Sequence, residues 1–201
     1  MENIILKRFK ESSEVKARFL KENLPRLLDA VRLVSQAFEA GNKVFFFGNG
    51  GSAADAQHLA AEFVNRYIMD RPPLPAIALT TDSSVLTSIS NDFAFNEIFA
   101  KQLRALGKEG DVAVGISTSG TSPNMIKAFE VARDMGIKTV ALTGNDGGPF
   151  AKMADISLLV SSTSTPRIQE VHILIGHVLC ELVEHQLFLK DVAVTSASMG
   201  K

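Results

Sequence analysis

Five short, continuously apolar segments constrain the fold of this chain more than any other feature. They lie at 43–47 (KVFFF), 75–79 (PAIAL), 111–116 (DVAVGI), 138–142 (KTVAL) and 155–160 (DISLLV), and each is followed by glycine or small polar residues. Strands without apolar/polar alternation are typical of a parallel sheet that is covered on both faces. Helical patterns lie between them, at 52–68, at 83–90 with 96–106, at 123–135 and at 166–187. This alternation predicts an α/β fold, a doubly wound five-stranded parallel sheet in a flavodoxin-like sandwich.

Residues 1–40 carry a long amphipathic helical pattern ahead of the first strand, with apolar side chains three or four residues apart. A compact five-stranded core offers a helix of this length little apolar surface on which to pack. We therefore interpret it as an N-terminal helical arm for oligomerisation, with packing on its own subunit as the alternative. No repeat or linker interrupts the chain. We predict a single domain over 1–201, made of the arm (1–40), an α/β core (41–190) and a small polar tail (191–201).

Composition and charge exclude several classes of protein. The 201 residues carry a formal net charge of -1, so no bulk electrostatic attraction to nucleic acid or to an anionic membrane is expected. No apolar run approaches the roughly 20 residues that span a bilayer, and the N-terminus lacks the pattern of a signal peptide. Cys180 is the single cysteine and lies in the apolar stretch VLCELV. We expect it to be buried, and we expect a cytoplasmic protein.

A glycine-rich loop, Gly48-Asn49-Gly50-Gly51-Ser52, follows the first strand. Glycines allow a tight turn and close approach of a ligand, and Ser52 can cap the helix that follows. The loop matches neither a Walker A motif nor a dinucleotide fingerprint. Taken alone, it is as consistent with a tight turn as with a binding loop.

A loop rich in hydroxyl groups follows the third strand and contains Ser117, Thr118, Ser119 and Ser122 ahead of Pro123. Ser122 stands at the N-cap position of the next helix, and proline is tolerated in a first helical turn. Ligands bind at the carboxyl ends of parallel strands, where hydroxyl and amide groups suit a phosphate. A capped helix with a polar turn is the alternative, but capping requires only one hydroxyl. We therefore predict a phosphate site.

Two pairs of polar residues lie on apolar helical patterns. His58 and Glu62 are four residues apart on one face, which suits two ligands of one metal ion, an acid–base pair or an ordinary exposed pair. Gln169 and His177 are eight apart, about 12 Å along a helix axis, and could share an ion only with both side chains extended.

Three further polar positions remain open. Asp92, in the pair Asn91-Asp92, is interpreted either as an N-cap or turn residue or as an active-site carboxylate. His172 and His185 are expected to be structural or solvent-exposed.

The stretches GNGGSAADAQHLAAEF, NDFAFNEIF, GDVAVGISTSGTSPN, TGNDGG and RIQEVHILIGH occur in that order and together resemble the phosphoheptose isomerase family. The resemblance covers nearly the whole chain. It implies the SIS (sugar isomerase) fold and conversion of D-sedoheptulose 7-phosphate to D-glycero-D-manno-heptose 7-phosphate. This is the first step towards ADP-heptose and the lipopolysaccharide core. It also implies a homotetramer with sites between subunits.

The resemblance also implies residue roles. The implied substrate contacts are Asn49, Gly50, Gly51, Ser52, Asn91, Asp92, Ser117, Thr118, Ser119, Ser122 and Gln169. The implied ligands of one zinc ion per subunit are His58, Glu62, Gln169 and His177, with Glu62 as general base and His177 as general acid. Some members carry an aspartate where this chain has Pro166, so no substrate contact is assigned there.

The implied reaction moves a proton from C1 to C2 through an enediol, which a carboxylate and an imidazole can serve. A zinc ion would polarise the carbonyl, but a carboxylate that binds zinc is a weaker base. Either Glu62 leaves the metal during turnover or Asp92 contributes to proton transfer. Two non-catalytic alternatives are a SIS-fold protein that binds a replication-initiation partner, a class lacking the Glu/His pair, and a sugar-phosphate sensor.

Overall fold

The computed structural model describes residues 1–189 and shows a parallel sheet between two layers of helices. The strands are β1 (Val44–Gly48), β2 (Ala76–Ala78), β3 (Val112–Ser117), β4 (Lys138–Gly144) and β5 (Ile156–Val160). The helices are α1 (Glu2–Glu39), α2 (Gly51–Val64), α3 (Ser83–Asp92), α4 (Ile98–Leu106), α5 (Pro123–Asp134), α6 (Gly148–Met153) and α7 (Thr165–Glu184). A 3-10 turn at Phe95–Glu97 and a π-helical turn at His185–Leu189 complete the described elements.

All five strands are parallel and lie in the order β2-β1-β3-β4-β5. The order reverses between β1 and β3, which is the switch point of a doubly wound sheet. Val44 and Phe46 of β1 pack into the apolar cluster under α1, α2 and α7, whereas Phe45 and Phe47 pack into the cluster on the opposite face. Both faces of the strand are thus buried, which explains its uninterrupted apolar sequence. The predicted fold class is confirmed.

Helix α1 packs along its own subunit from Val15 onwards. Its buried residues face α7 and β5, and Asn23 donates from Nδ2 to the Leu159 carbonyl at 3.1 Å. Packing on its own subunit, which the sequence left as the alternative, is therefore what this part of the helix does. The first turns instead expose Ile4, Ile5 and Phe9. The role of α1 in oligomerisation stays a prediction.

Several predicted boundaries are shifted. Helix α2 ends at Val64 rather than 68, because the chain then turns back and the Tyr67 N–H donates to Glu184, the last residue of α7. Helix α6 was not predicted, since six residues are too few to show a period. Residue 190 and the predicted tail, 191–201, lie outside the described residues.

Helix α7 is largely a core helix. Cys180 is fully buried, as predicted, and burial raises the pKa of its thiol. His172 is also buried and donates from Nε2 to the Thr143 carbonyl at 3.2 Å, so it is structural. By length and composition Thr165–Leu189 could span a membrane, but α7 packs against α1 and α2 as core helices of soluble proteins do.

Candidate active site

Two loops, the glycine loop after β1 (residues 48–52) and the serine loop after β3 (residues 117–122), lie side by side because β1 and β3 are neighbours in the sheet. Gly48 pairs with Ile116, so both loops leave the sheet at the same edge. Together with Gln169, near the start of α7, the two loops enclose a polar cleft that we call the serine-loop cleft. Its lining residues are Asn49, Ser52, Ile116, Ser117, Thr118, Ser119, Ser122 and Gln169. The structure thus brings together most of the predicted substrate contacts.

Close approach or a positive φ favours glycine at each glycine position of the first loop. A Cβ on Gly48 would lie 2.8 Å from the Ile116 carbonyl oxygen, and one on Gly51 would lie 2.7 Å from Gln169 Nε2. Gly50 has a φ of 57° and is the N-cap of α2. The interpretation that Ser52 can cap this helix is therefore wrong. Ser52 is buried in the first turn, where it lines the cleft.

The serine loop is shaped by its own hydroxyls. The Gly120 N–H donates to Ser117 Oγ at 3.2 Å, and the Thr121 N–H donates to Ser119 Oγ at 3.3 Å. Ser122 occupies the N-cap position of α5 as predicted, yet its side chain makes no capping bond there. Ser122 lines the cleft instead. The loop therefore offers hydroxyls and a helix N-terminus to an anion without a basic side chain.

An amide pair ties the two loops together. Asn49 donates from Nδ2 to Asn124 Oδ1 at 3.0 Å, and Asn124 donates from Nδ2 to Asn49 Oδ1 at 2.8 Å. Asn124 is buried in the first turn of α5. Asn124 was not among the predicted site residues, because nothing in a single sequence shows that one asparagine faces another 75 positions away.

Helices α2 and α7 bring three predicted site residues into contact. A Cβ on Gly176 would lie 2.4 Å from Leu59 Cδ2, so the helices approach closely at this point. The residues that adjoin this contact therefore meet: His177 Nε2 lies 3.4 Å from His58 Nε2, which lies 3.0 Å from Glu62 Oε1. The side chains of His58 and Glu62 are 46% and 24% exposed. We call these three residues the His–Glu cluster.

Two further side chains adjoin this cluster. The Tyr67 ring stacks on His177, with ring centroids 5.6 Å apart and planes at 24°. Burial raises the pKa of the Asp55 carboxyl above its usual range, and the nearby His58 and His177 oppose this rise. Neither Tyr67 nor Asp55 was among the predicted site residues. Asp55 could have been found, since it lies three residues before His58 on the same face of α2.

The donor set of the His–Glu cluster suits a zinc ion. Zinc lies about 2.0–2.1 Å from nitrogen and oxygen ligands in a tetrahedron, which separates neighbouring donors by about 3.3 Å. The two distances of 3.4 and 3.0 Å are close to this value. Across residues 1–189, however, no group of three or more His, Cys, Asp and Glu side chains is arranged so that it could hold a metal ion. The fit therefore rests on donor chemistry and on these two distances.

Gln169, the fourth predicted ligand, lies at the cleft against Gly51. It precedes His177 by eight residues on α7, about 12 Å along the helix axis. The structure places it with the substrate loops, and its role as a metal ligand stays a prediction.

Asn91 and Asp92 are the last residues of α3, and both are exposed. Asp92 is therefore not an N-cap, a position that Asp82 takes for this helix. Asn91 Nδ2 donates to Asp92 Oδ1 at 2.9 Å, and no other side-chain hydrogen bond of either residue is present within residues 1–189. Their predicted substrate contacts stay predictions. Nearby Phe95 does line a cleft that shares Asn49 and Ser122 with the serine-loop cleft.

Comparison with known proteins assigns the chain to a family. The family description "SIS domain" matches residues 8–144. A phosphoheptose isomerase of Nitratidesulfovibrio vulgaris (strain Miyazaki F) is 50% identical over 198 residues, which are 98% of this chain and 95% of that protein. The chain belongs to the phosphoheptose isomerase family. A relative from Thermodesulfovibrio yellowstonii is 51% identical over 188 residues, 94% of each chain.

A solved structure of a phosphoheptose isomerase from Neisseria gonorrhoeae is similar, at 44% identity and a TM-score of 0.86, covering 91% of this chain and 98% of that one. Another, from Francisella tularensis, shares 40% identity with a TM-score of 0.88 and covers 91% and 97%. The resemblance seen in the sequence is thereby confirmed, as is the SIS fold. Pro166, where some phosphoheptose isomerases carry an aspartate, is exposed in the first turn of α7 and fits the helix there.

Proposed function

We propose that this chain isomerises D-sedoheptulose 7-phosphate to D-glycero-D-manno-heptose 7-phosphate. Its full-length similarity to phosphoheptose isomerases supports this activity. The observation that carries it is the contact of His58, Glu62 and His177 on two helices that begin at the serine-loop cleft.

The spacing along α2 suits a substrate that is phosphorylated at one end and reacts at the other. Gly51 lies at the cleft, and His58 is seven residues further on the same face, about 10 Å along the axis. In sedoheptulose 7-phosphate the phosphate is on C7, whereas the proton moves between C1 and C2. A phosphate held by the serine loop would therefore leave the reacting carbons to extend towards the His–Glu cluster.

Two residues of the cluster, Glu62 and His177, transfer protons in this proposal. Glu62 takes the proton from C1, which gives the enediol, and returns a proton to C2. His177 gives a proton to O2 and takes one from O1, so the ketone becomes an alcohol and C1 becomes the aldehyde. Asp92, the alternative base, makes no hydrogen bond to the cluster within residues 1–189, where its side chain bonds only to Asn91. Glu62 is the better placed of these two carboxylates.

We also propose one zinc ion per subunit, which His58, Glu62, Gln169 and His177 would hold. Because a group that binds zinc is a weaker base, Glu62 and His177 would transfer protons only when released from the ion. When bound, such an ion would polarise the ketose carbonyl. The donor set supports this assignment, since imidazole and carboxylate groups are ordinary zinc ligands.

The proposed assembly is a homotetramer with its sites between subunits. The exposure of His58 supports it, because a site that must exclude water is left half open by one chain. An apolar groove between α1 and α7 also supports it, with Leu20, Leu24 and Leu174 about half exposed. Cytoplasmic location, absence of nucleic-acid and membrane partners, and a place in ADP-heptose and lipopolysaccharide synthesis are parts of the same proposal.

A coupled assay with sedoheptulose 7-phosphate tests this function. We expect turnover by the wild type and about one zinc per chain. We expect Glu62→Gln and His177→Ala each to lower kcat on the order of a hundredfold or more. Lack of turnover by the zinc-loaded wild type would contradict the proposal and favour a non-catalytic binding protein. That class lacks the Glu/His pair which this chain retains, so the present structure does not favour it.

A further inference from the structure

A buried ion pair holds the turn that follows α2. The chain reverses at residues 65–73, and Glu184, the last residue of α7, accepts hydrogen bonds from three consecutive N–H groups in this turn. The donors are Tyr67 at 2.8 Å, Ile68 at 3.0 Å and Met69 at 3.1 Å. Arg71 Nε donates to the same carboxylate at 2.9 Å. We call residues 65–73, with Glu184, the clamp.

Arg71 completes the clamp on the side of α2. Its guanidinium donates to the backbone carbonyls of Phe63 at 2.7 Å and Glu62 at 2.9 Å, which have no partner within α2 because the helix ends here. The Phe63 carbonyl also accepts a hydrogen bond from the Leu74 N–H at 3.0 Å. The side chains of Arg71 and Glu184 are each 1% exposed. Burial acts to raise the pKa of Glu184, but the donated hydrogen bonds hold this pKa below its usual value. Both charges are therefore compensated by dense hydrogen bonding, without which burial would be costly.

The clamp fixes two positions at the His–Glu cluster. Arg71 is bonded to the backbone of Glu62 itself. The backbone N–H of Tyr67 is bonded to Glu184, and the Tyr67 ring stacks on the imidazole of His177. The imidazole thus has an aromatic ring on one face and His58 at its Nε2 atom.

We propose that Tyr67, held by the Arg71–Glu184 pair, is a positioning residue that orients the His177 imidazole for proton transfer. It acts through His177. The inference rests on the proposed isomerase function. A misplacement of a reacting group by about 1 Å can cost a hundredfold in rate, so a ring that fixes the imidazole affects kcat more than substrate affinity.

The test compares two variants of Tyr67 with a control in the same turn. Tyr67→Phe keeps the stacked ring, whereas Tyr67→Leu keeps apolar volume without it. Ile68→Ala is the control, since the Ile68 side chain is exposed and only its backbone joins the clamp. We expect Tyr67→Leu to lower kcat on the order of tenfold with KM within about twofold of wild type. Tyr67→Phe and Ile68→Ala should stay near the wild-type kcat.

A second readout separates this inference from the proposed function. The NMR signals of the His177 ring should be displaced by the stacked aromatic ring in wild type and Tyr67→Phe, and should move in Tyr67→Leu. This comparison needs no turnover, and it remains valid if the wild type proves inactive. Unchanged His177 signals in Tyr67→Leu would overturn the inference. An equal loss of kcat in Tyr67→Phe and Tyr67→Leu, or a wild-type kcat in Tyr67→Leu, would also overturn it.

Discussion

At the scale of single residues, the site depends on side chains that are placed by other side chains. Asn49 faces the cleft, but its amide is oriented by Asn124, and each of these asparagines donates to and accepts from the other. A hydrogen bond of this kind makes a net contribution of about 1 kcal/mol to the free energy of folding, and leaving a buried partner unpaired costs more. The orientation of Asn49 is therefore set from the neighbouring loop.

We predict that Asn124→Ala raises KM for the sugar phosphate about fivefold to tenfold, because Asn49 loses both of its hydrogen bonds to the Asn124 amide. Steady-state kinetics measures this change. Glu130→Ala is the matched control, since Glu130 is an exposed residue on the same helix, and its KM should equal that of the wild type. An unchanged KM in Asn124→Ala would show that the amide pair does not orient a substrate contact.

At the scale of elements, the sequence predicted the strands and most helices but not how two helices meet. Continuous apolar runs such as 43–47 are sufficient to identify buried parallel strands, and the position of the serine loop after β3 follows from them. Gly176 gave no such signal, because a glycine within an apolar helix looks the same whether or not another helix approaches it. The stacking of Tyr67 on His177 and the pairing of Asn49 with Asn124 depend on that kind of contact between distant segments.

We predict that Gly176→Ala separates α2 from α7, because its Cβ would lie 2.4 Å from Leu59 Cδ2. Overpacking of this kind costs about 1–3 kcal/mol in the free energy of unfolding, and here it also moves His177 away from His58. The free energy of unfolding, measured by urea titration, and kcat should both fall. The double variant Gly176→Ala with Leu59→Ala, which restores space, should recover kcat in part; no recovery would argue against helix separation as the cause.

At the scale of the whole molecule, one buried imidazole couples stability to pH. Burial lowers the pKa of His172 from 6.5 to about 4, so the folded chain binds fewer protons than the unfolded chain between these values. The folded state is favoured while the His172 imidazole is neutral. This contribution to the free energy of unfolding is thus fully present above pH 6.5 and is lost as pH falls towards 4.

We predict that the free energy of unfolding falls by a few kcal/mol between pH 7 and pH 4.5, on the basis of 1.36 kcal/mol per pKa unit. Urea titrations at several pH values measure this dependence. A variant without a titrating ring, His172→Gln, should show a flatter dependence in this range. An equally steep dependence in the variant would assign the effect to other groups.

We also predict that Leu24→Glu lowers the molecular mass in solution, because it places a charge in the apolar groove between α1 and α7. Light scattering after gel filtration measures the mass. Leu106→Glu is the matched control, since Leu106 is 48% exposed like Leu24 but lies at the end of α4. A mass unchanged by Leu24→Glu would exclude this groove as the subunit interface.

The most direct test of the central claim is the conversion of sedoheptulose 7-phosphate, followed by NMR, with wild type and Glu62→Gln side by side. The account predicts that the wild type forms the aldose heptose 7-phosphate and that Glu62→Gln forms it on the order of a hundredfold more slowly or not at all. No aldose phosphate from wild type supplied with zinc, or equal rates for the two proteins, would contradict it.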